Sequence, residues 1–204
     1  MTETHPAEPG RRERKRLQQL DHLADTAWAL FEAEGFDAVT MERIADAADV
    51  AKGTLYKHFP VKEALLRHRF HRELHAAGPS IQAALGAEAP GPARLACFFR
   101  LQAQWCERHR SYLLPYVRFR LADPQLATEG RERSGMDRIF AELIAQGQAA
   151  GAFRADIPAP LLAGYLQFAH LATLVRWLTV EGLSLEEQLG GMLELVCNGM
   201  GARS

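Results

Sequence analysis

Lys52, Gly53, Thr54, Tyr56, Lys57 and His58 crowd into seven residues of this chain. A lysine next to a glycine brings an ammonium group and an unshielded backbone to a phosphate together. Threonine offers a base edge both a hydroxyl and a methyl group, and tyrosine and histidine carry polar tips on rings that pack. Between Lys52 and Arg72 six basic residues (Lys52, Lys57, Lys62, Arg67, Arg69, Arg72) face one acid, Glu63, with His58, His68 and His71 besides. Arg11 to Arg16 add five more basic residues against Glu13. Charge concentrated in this way points to a polyanion, whatever the total, although charge alone fits a solvated helix face as well. Lys62 opens a helix whose unpaired N–H groups already favour an anion.

Other chemistry is poorly supplied. His68, His71 and His75 fall at i, i+3 and i+7, and Cys106 and His109 are three apart, spacings a metal can use. The first set lies among Arg67, Arg69 and Arg72, whose charge repels a cation, so no metal is expected. GxSxG, HExxH and phosphate-loop signatures are missing, and no carboxylates pair in a recognisable context. Neither an enzyme nor a cofactor is expected.

The elements that must hold these residues read as helices almost throughout. Leu17, Leu20, Ala24, Ala27, Trp28 and Phe31 share one face of a first helix that Gly35 ends. Thr40 can cap a second helix over 41–48, with Val39 and Ile44 at the spacing of a hydrophobic staple. Asp49 and Val50 form a tight corner into a third, short helix, in which Leu55 and Phe59 face inward and Pro60 stops the run. A fourth helix is expected over 62–76, ending near Gly78 and Pro79, and Leu85 to Pro92 is the expected seam. Beyond it the pattern predicts helices at about 92–109, 112–121, 127–150, 160–180 and 184–200.

With 204 residues, 48% hydrophobic and a net charge of −1, the chain has enough apolar matter for one large domain or two small ones. Cys97, Cys106 and Cys197 form no CxxC pair, and MTETHPAEPGRRERKR has no apolar signal-peptide core, so a reducing cytoplasm is expected. The apolar run Ile157–Val180 contains Arg176 and two prolines, which favours a buried helix over a membrane span.

Two short helices joined by a tight turn, the second exposed and cationic, form a helix-turn-helix that lays a recognition helix in the major groove. On this basis ALFEAEGFDAVTMERIADAADVAKGTLYKHFPVKEALL, from Ala29 onward, resembles the tetracycline-repressor-like (TetR) family of transcriptional regulators. Phe31, Gly35-Phe36, Thr40, Ile44-Ala45, Lys52 to Tyr56, Phe59 and Lys62-Glu63 sit at that family's spacing. Asp49 stands where the family usually has glycine, Ala51 where it has serine or threonine, and Val61 where serine or asparagine commonly caps the next helix.

The resemblance implies an all-α protein: a flexible basic arm over 1–16, a helix-turn-helix DNA-binding domain over 17–60, a connecting helix over 61–78, and an effector-binding and dimerisation domain over 79–204. It implies contacts to a double-stranded operator from Thr40, Lys52, Gly53, Thr54, Tyr56, Lys57, His58 and Lys62. One short helix touches too little DNA for tight binding at cellular salt, so a homodimer on a near-palindromic operator is expected. The resemblance puts the dimer contact on the last two helices, about 160–200, and both are apolar on more than one side.

It also implies a small-molecule pocket in the larger domain and repression relieved by an effector. On the fifth helix Gln102 and His109 interrupt an apolar stripe that includes Phe98 and Trp105. Tyr112, Tyr116, Phe119, Phe140, Gln167 and His170 can complete an aromatic wall with a few orienting groups. That composition suits an uncharged, partly aromatic or aliphatic effector, whereas Arg108, Arg118 or Arg176 would suit a carboxylate. A metal- or stress-sensing regulator without an organic ligand is the alternative.

Overall fold

A computed structural model describes residues 10–122 and 135–198, and these contain only helices and their connections: α1 (Arg11–Glu34), α2 (Met41–Ala47), α3 (Lys52–His58), α4 (Lys62–Gly86), α5 (Pro92–Arg108), α6 (Arg110–Leu121), α7 (Met136–Ala149), α8 (Ala159–Thr179) and α9 (Leu185–Asn198). The chain divides into two compact units, Met1–Ala76 and Ala77–Ser204.

In the smaller unit α1 buries Leu20, Leu23, Ala24, Ala27 and Phe31. Ile44, Ala45, Leu55, Phe59, Leu65, Leu66 and Phe70 complete that core, each large side chain contributing about 1.5–3 kcal/mol by leaving water. The expected devices are in place. The Thr40 hydroxyl oxygen accepts from the Arg43 N–H at 3.1 Å, and the staple residues Val39 and Ile44 are buried. After α2 the Asp49 N–H bonds the Asp46 carbonyl and the Val50 N–H the Ala45 carbonyl, the two hydrogen bonds of a Schellman turn. Its left-handed residue is Asp49, at φ 54°, a conformation that costs a residue with a Cβ about 1–2 kcal/mol and that Asp tolerates better than most. Asp49 does not cap α3, whose N-cap Ala51 makes no side-chain bond.

Two expected boundaries move. Arg11 to Arg16, expected in a flexible arm, form the first turns of α1, where Arg16 bonds Glu13 at 2.6 Å. The fourth helix does not stop at Gly78 and Pro79 but runs on to Gly86. Proline inside a helix costs roughly 3 kcal/mol, and the extra turns bring Leu85 into the core of the larger unit. The seam after Leu85 is therefore a short connection between α4 and α5, while the division between units falls inside α4. Of the helix expected over 127–150, residues 136–149 are helical and 127–134 lie outside the described residues.

The larger unit is built on α7 and α8 with α5, α6 and α9. Gly147 on α7 admits the Phe153 ring so closely that a Cβ would lie 2.3 Å from its Cδ2. Gly91, at φ 116°, meets Ala152 the same way, at 2.6 Å. The Trp177 carbonyl, left over near the end of α8, accepts from Arg110 at 3.0 Å, and that guanidinium lies 4.5 Å from the centre of the Trp177 ring. Among the described residues no helix is long and apolar enough to cross a membrane.

Candidate functional site

The short third helix is held from one side only. Leu55 is wholly buried and Phe59 nearly so, while Lys52, Gly53, Tyr56 and Lys57 are exposed and Thr54 and His58 half-buried. Seven residues cannot sustain a helix in water, so α3 exists because Leu55 anchors it, and the side turned outward is polar and cationic. Lys52 and Lys57 meet no acid among the described residues. The Tyr56 hydroxyl, 42% exposed as a residue, donates to the Glu42 carboxylate at 3.3 Å. Desolvation raises the Tyr56 pKa, and the neighbouring Glu42 charge raises it further, so the phenol stays protonated.

Lys62 departs from expectation. Its ammonium donates to the carbonyls of Phe36 at 2.6 Å, Val39 at 3.1 Å and Asp37 at 3.3 Å, and lies 4.5 Å from the centre of the Phe36 ring. An ammonium has three donors, and all three are engaged by the connection between α1 and α2. Lys62 is thus a clamp within the smaller unit, unavailable to phosphate. Lys62→Met is expected to lower stability by about 1–3 kcal/mol, through carbonyls left without a donor, and to leave the salt dependence of DNA binding unchanged. Urea unfolding and a salt titration read the two effects.

Half of the basic cluster is likewise internal. Arg69 bonds Asp25 at 2.6 Å and Glu73 at 2.9 Å, and Arg72 bonds Asp25 and lies 3.3 Å from Asp21. His68 bonds Asp21 at 2.7 Å. These contacts tie α4 to α1. Although burial opposes it, the two guanidinium groups hold the Asp25 carboxyl below its ordinary range. Of the six basic residues between Lys52 and Arg72, Lys52, Lys57 and Arg67 remain for a polyanion. Thr40 is engaged as the α2 cap, which leaves its hydroxyl proton for a further acceptor.

The histidine spacings do not converge on a metal. Among the described residues no group of three or more His, Cys, Asp or Glu side chains is placed to hold one. His109 donates from Nδ1 to the Trp105 carbonyl at 2.8 Å, and burial pushes the Cys106 thiol up to about 12, far from the thiolate a metal needs.

In the larger unit the expected effector residues fall into two sets. Phe98, Phe140 and His170 meet in one buried cluster. Phe140 lies 5.6 Å from Phe98 and 5.9 Å from His170, ring centre to ring centre. Phe99, which the α5 stripe leaves out, joins them, stacked on His170 at 5.8 Å and 5.6 Å from Phe140. Trp105 and His109 stack on each other at 4.5 Å, while Tyr112, Tyr116 and Gln167 are half-buried. Two buried polar atoms have no hydrogen-bond partner among the described residues: Gln102 Oε1 and His170 Nε2. Burial lowers the His170 pKa to about 4, so the imidazole is neutral at pH 7.

On the outside of the same unit Leu161, Tyr165 and Phe168 make an apolar stripe on α8, with Tyr165 63% and Phe168 74% exposed. Beside it a groove of about 470 Å³ between α8 and α9 is lined by Ala169, Ala172, Thr173, Arg176, Met192 and Leu195 among others.

Residues 23–68 match the family described as bacterial regulatory proteins, tetR family. The chain is 26% identical over 191 residues to a putative mycofactocin biosynthesis transcriptional regulator of Mycobacterium tuberculosis, covering 92% of this chain and 93% of that protein. It is 25% identical to the transcriptional repressor KstR2 of Mycolicibacterium smegmatis, covering 83% and 84%. Among solved structures it is similar to FadR of Thermus thermophilus, a TetR-family transcriptional repressor in complex with lauroyl-CoA, with a TM-score of 0.80, 27% identity and coverage of 91% and 96%. The matched segment is the one that builds the helix-turn-helix: residues 23–68 are those of a tetR-family regulatory protein, and the likeness to transcriptional regulators of that kind runs through both units.

Proposed function

We propose that this protein is a homodimeric repressor that places α3 in the major groove of a near-palindromic operator and leaves the DNA when a small molecule enters the larger unit. The observation that carries the reading is the one-sided burial of α3: Leu55 is wholly enclosed, whereas Lys52, Gly53, Tyr56 and Lys57 stand in solvent, and no acid among the described residues neutralises the lysines. In this reading Lys52, Gly53 and Lys57 hold the backbone, Thr54 and Tyr56 face base edges, and Thr40 and His58 flank them.

Dimerisation through α8 and α9 is supported by the exposed stripe of Leu161, Tyr165 and Phe168 beside the groove, since apolar surface of this kind marks an interaction site. An effector site within the larger unit is supported by Gln102 and His170, whose buried polar atoms lack partners among the described residues and would gain them from a guest. The lauroyl-CoA bound by FadR of Thermus thermophilus supports an effector with a long apolar part, in keeping with the Phe98, Phe99 and Phe140 rings.

Selection of bound duplexes from a random pool tests the DNA-binding half of the proposal, and release of the selected DNA by a panel of compounds, lauroyl-CoA included, tests the other. On the selected operator, Lys57→Ala should weaken binding and lower the slope of log affinity against log salt by about 0.9 for each lost phosphate contact. An unaltered slope would take Lys57 off the backbone.

A further inference from the structure

The only hydrogen bond between the side chains of α2 and α3 among the described residues joins a candidate DNA-reading residue to an acid. The Tyr56 hydroxyl donates to Glu42, in the first turn of α2, at 3.3 Å. Glu42 is half-buried, and among the described residues no basic side chain pairs with it. Its neighbour Arg43 turns instead to Glu34, at 3.0 Å. A carboxylate is therefore held beside the tip of a residue on the exposed side of α3, where Lys52 and Lys57 are suited to phosphate. Phosphates would repel it. It is tolerable there only if a donor meets it when DNA binds.

The floor of the major groove offers two such donors, the N4 amino group of cytosine and the N6 amino group of adenine. Guanine and thymine present acceptors at the corresponding edge, and adenine sets its N7 acceptor beside its donor. A carboxylate accepts from cytosine without meeting an opposed lone pair. We propose that Glu42 is a specificity-determining residue, its carboxylate oriented by the Tyr56 hydroxyl to accept a hydrogen bond from one cytosine in each operator half-site. The inference rests on the reading of α3 as the recognition helix, and gives that reading a base preference. Tyr56 acts as a positioning residue for this contact: having donated its proton to Glu42, it keeps its oxygen lone pairs for a donor of its own.

The test is selection from a random duplex pool with the full chain and three variants, Glu42→Gln, Glu42→Ala and Tyr56→Phe, each first checked for native helicity and melting temperature. The wild-type sequence pattern should hold one strongly preferred cytosine per half-site, and replacing it by thymine should weaken binding about tenfold or more. Glu42→Gln keeps an acceptor for Tyr56 but adds donors, so the preferred base should change from cytosine to adenine, which a carboxamide reads through N6 and N7. Glu42→Ala should flatten that one position and leave the others, and Tyr56→Phe should blunt the preference without changing the base. If all four proteins select the same pattern, Glu42 serves only to support Tyr56 and the proposal is overturned while DNA reading by α3 stands. If the wild-type protein enriches no sequence at all, the reading of α3 falls, and this inference with it.

Discussion

Phe168→Arg should turn the protein into a monomer and weaken operator binding by about three orders of magnitude or more. The side chain is 74% exposed and the neighbouring Tyr165 63%, so nothing inside the protomer is lost and the variant should keep its native helicity, with a melting temperature lowered only by the lost association. What changes is the energy of bringing two copies together, because two guanidinium groups would be desolvated against the apolar stripe. The effect on DNA follows from the arithmetic of two half-sites. Specific operators are bound at about 10⁻⁸–10⁻¹¹ M by proteins of this kind, and a lone α3 would keep roughly half of that free energy. Sedimentation gives the oligomeric state and a gel-shift titration the affinity. A variant that stays dimeric and binds as before would move the dimer seam away from the α8 stripe. A monomer that binds its operator undiminished would mean that one recognition helix suffices.

The smaller unit was largely legible because its devices are local. Thr40 and Arg43 are three residues apart, Val39 and Ile44 five, and Leu55 and Phe59 four, so spacing alone shows which side of each short helix turns inward. The misreadings there came from partners distant in sequence. Lys62 finds carbonyls about 25 residues earlier, and Arg69 and Arg72 find Asp25 across 44 and 47 residues, so a cluster that reads locally as six free cations is half internal. The extension of α4 past Pro79 has the same cause, since the proline is a local signal and the burial of Leu85 a tertiary one. In the larger unit the α5 stripe starting at Leu95 predicts Phe98 and Gln102 and misses Phe99. A helix buried between several neighbours has more than one inner face, and Phe99 occupies the second, against His170.

The ring cluster that Phe99 joins carries the largest expected stability effect. Phe140→Ala should destabilise the larger unit by about 4–5 kcal/mol, toward the upper end of the range for emptying a buried phenylalanine site. Phe140 is completely buried, with Phe98, Phe99 and His170 around it at 5.6, 5.6 and 5.9 Å between ring centres, and such ring pairs contribute about 0.5–1.5 kcal/mol each beyond their area. Urea unfolding followed by tryptophan fluorescence in a Trp28→Phe background reports this unit through Trp105 and Trp177. The companion Phe140→Leu should lose less than half as much and remain folded for titration. Burial lowers the His170 pKa from an ordinary 6.5 to about 4, so between those values the unfolded chain binds a proton that the folded protein does not, and stability falls as pH drops through that window. The loss at pH 4 is roughly 3 kcal/mol. Either substitution opens space beside the imidazole, admits water and raises its pKa, so the fall in stability between pH 6.5 and 4 should be shallower than in the wild type. A Phe140→Leu protein whose His170 resonances titrate as in the wild type, with an equal pH dependence of unfolding, would show that the phenylalanine ring does not keep the imidazole dry.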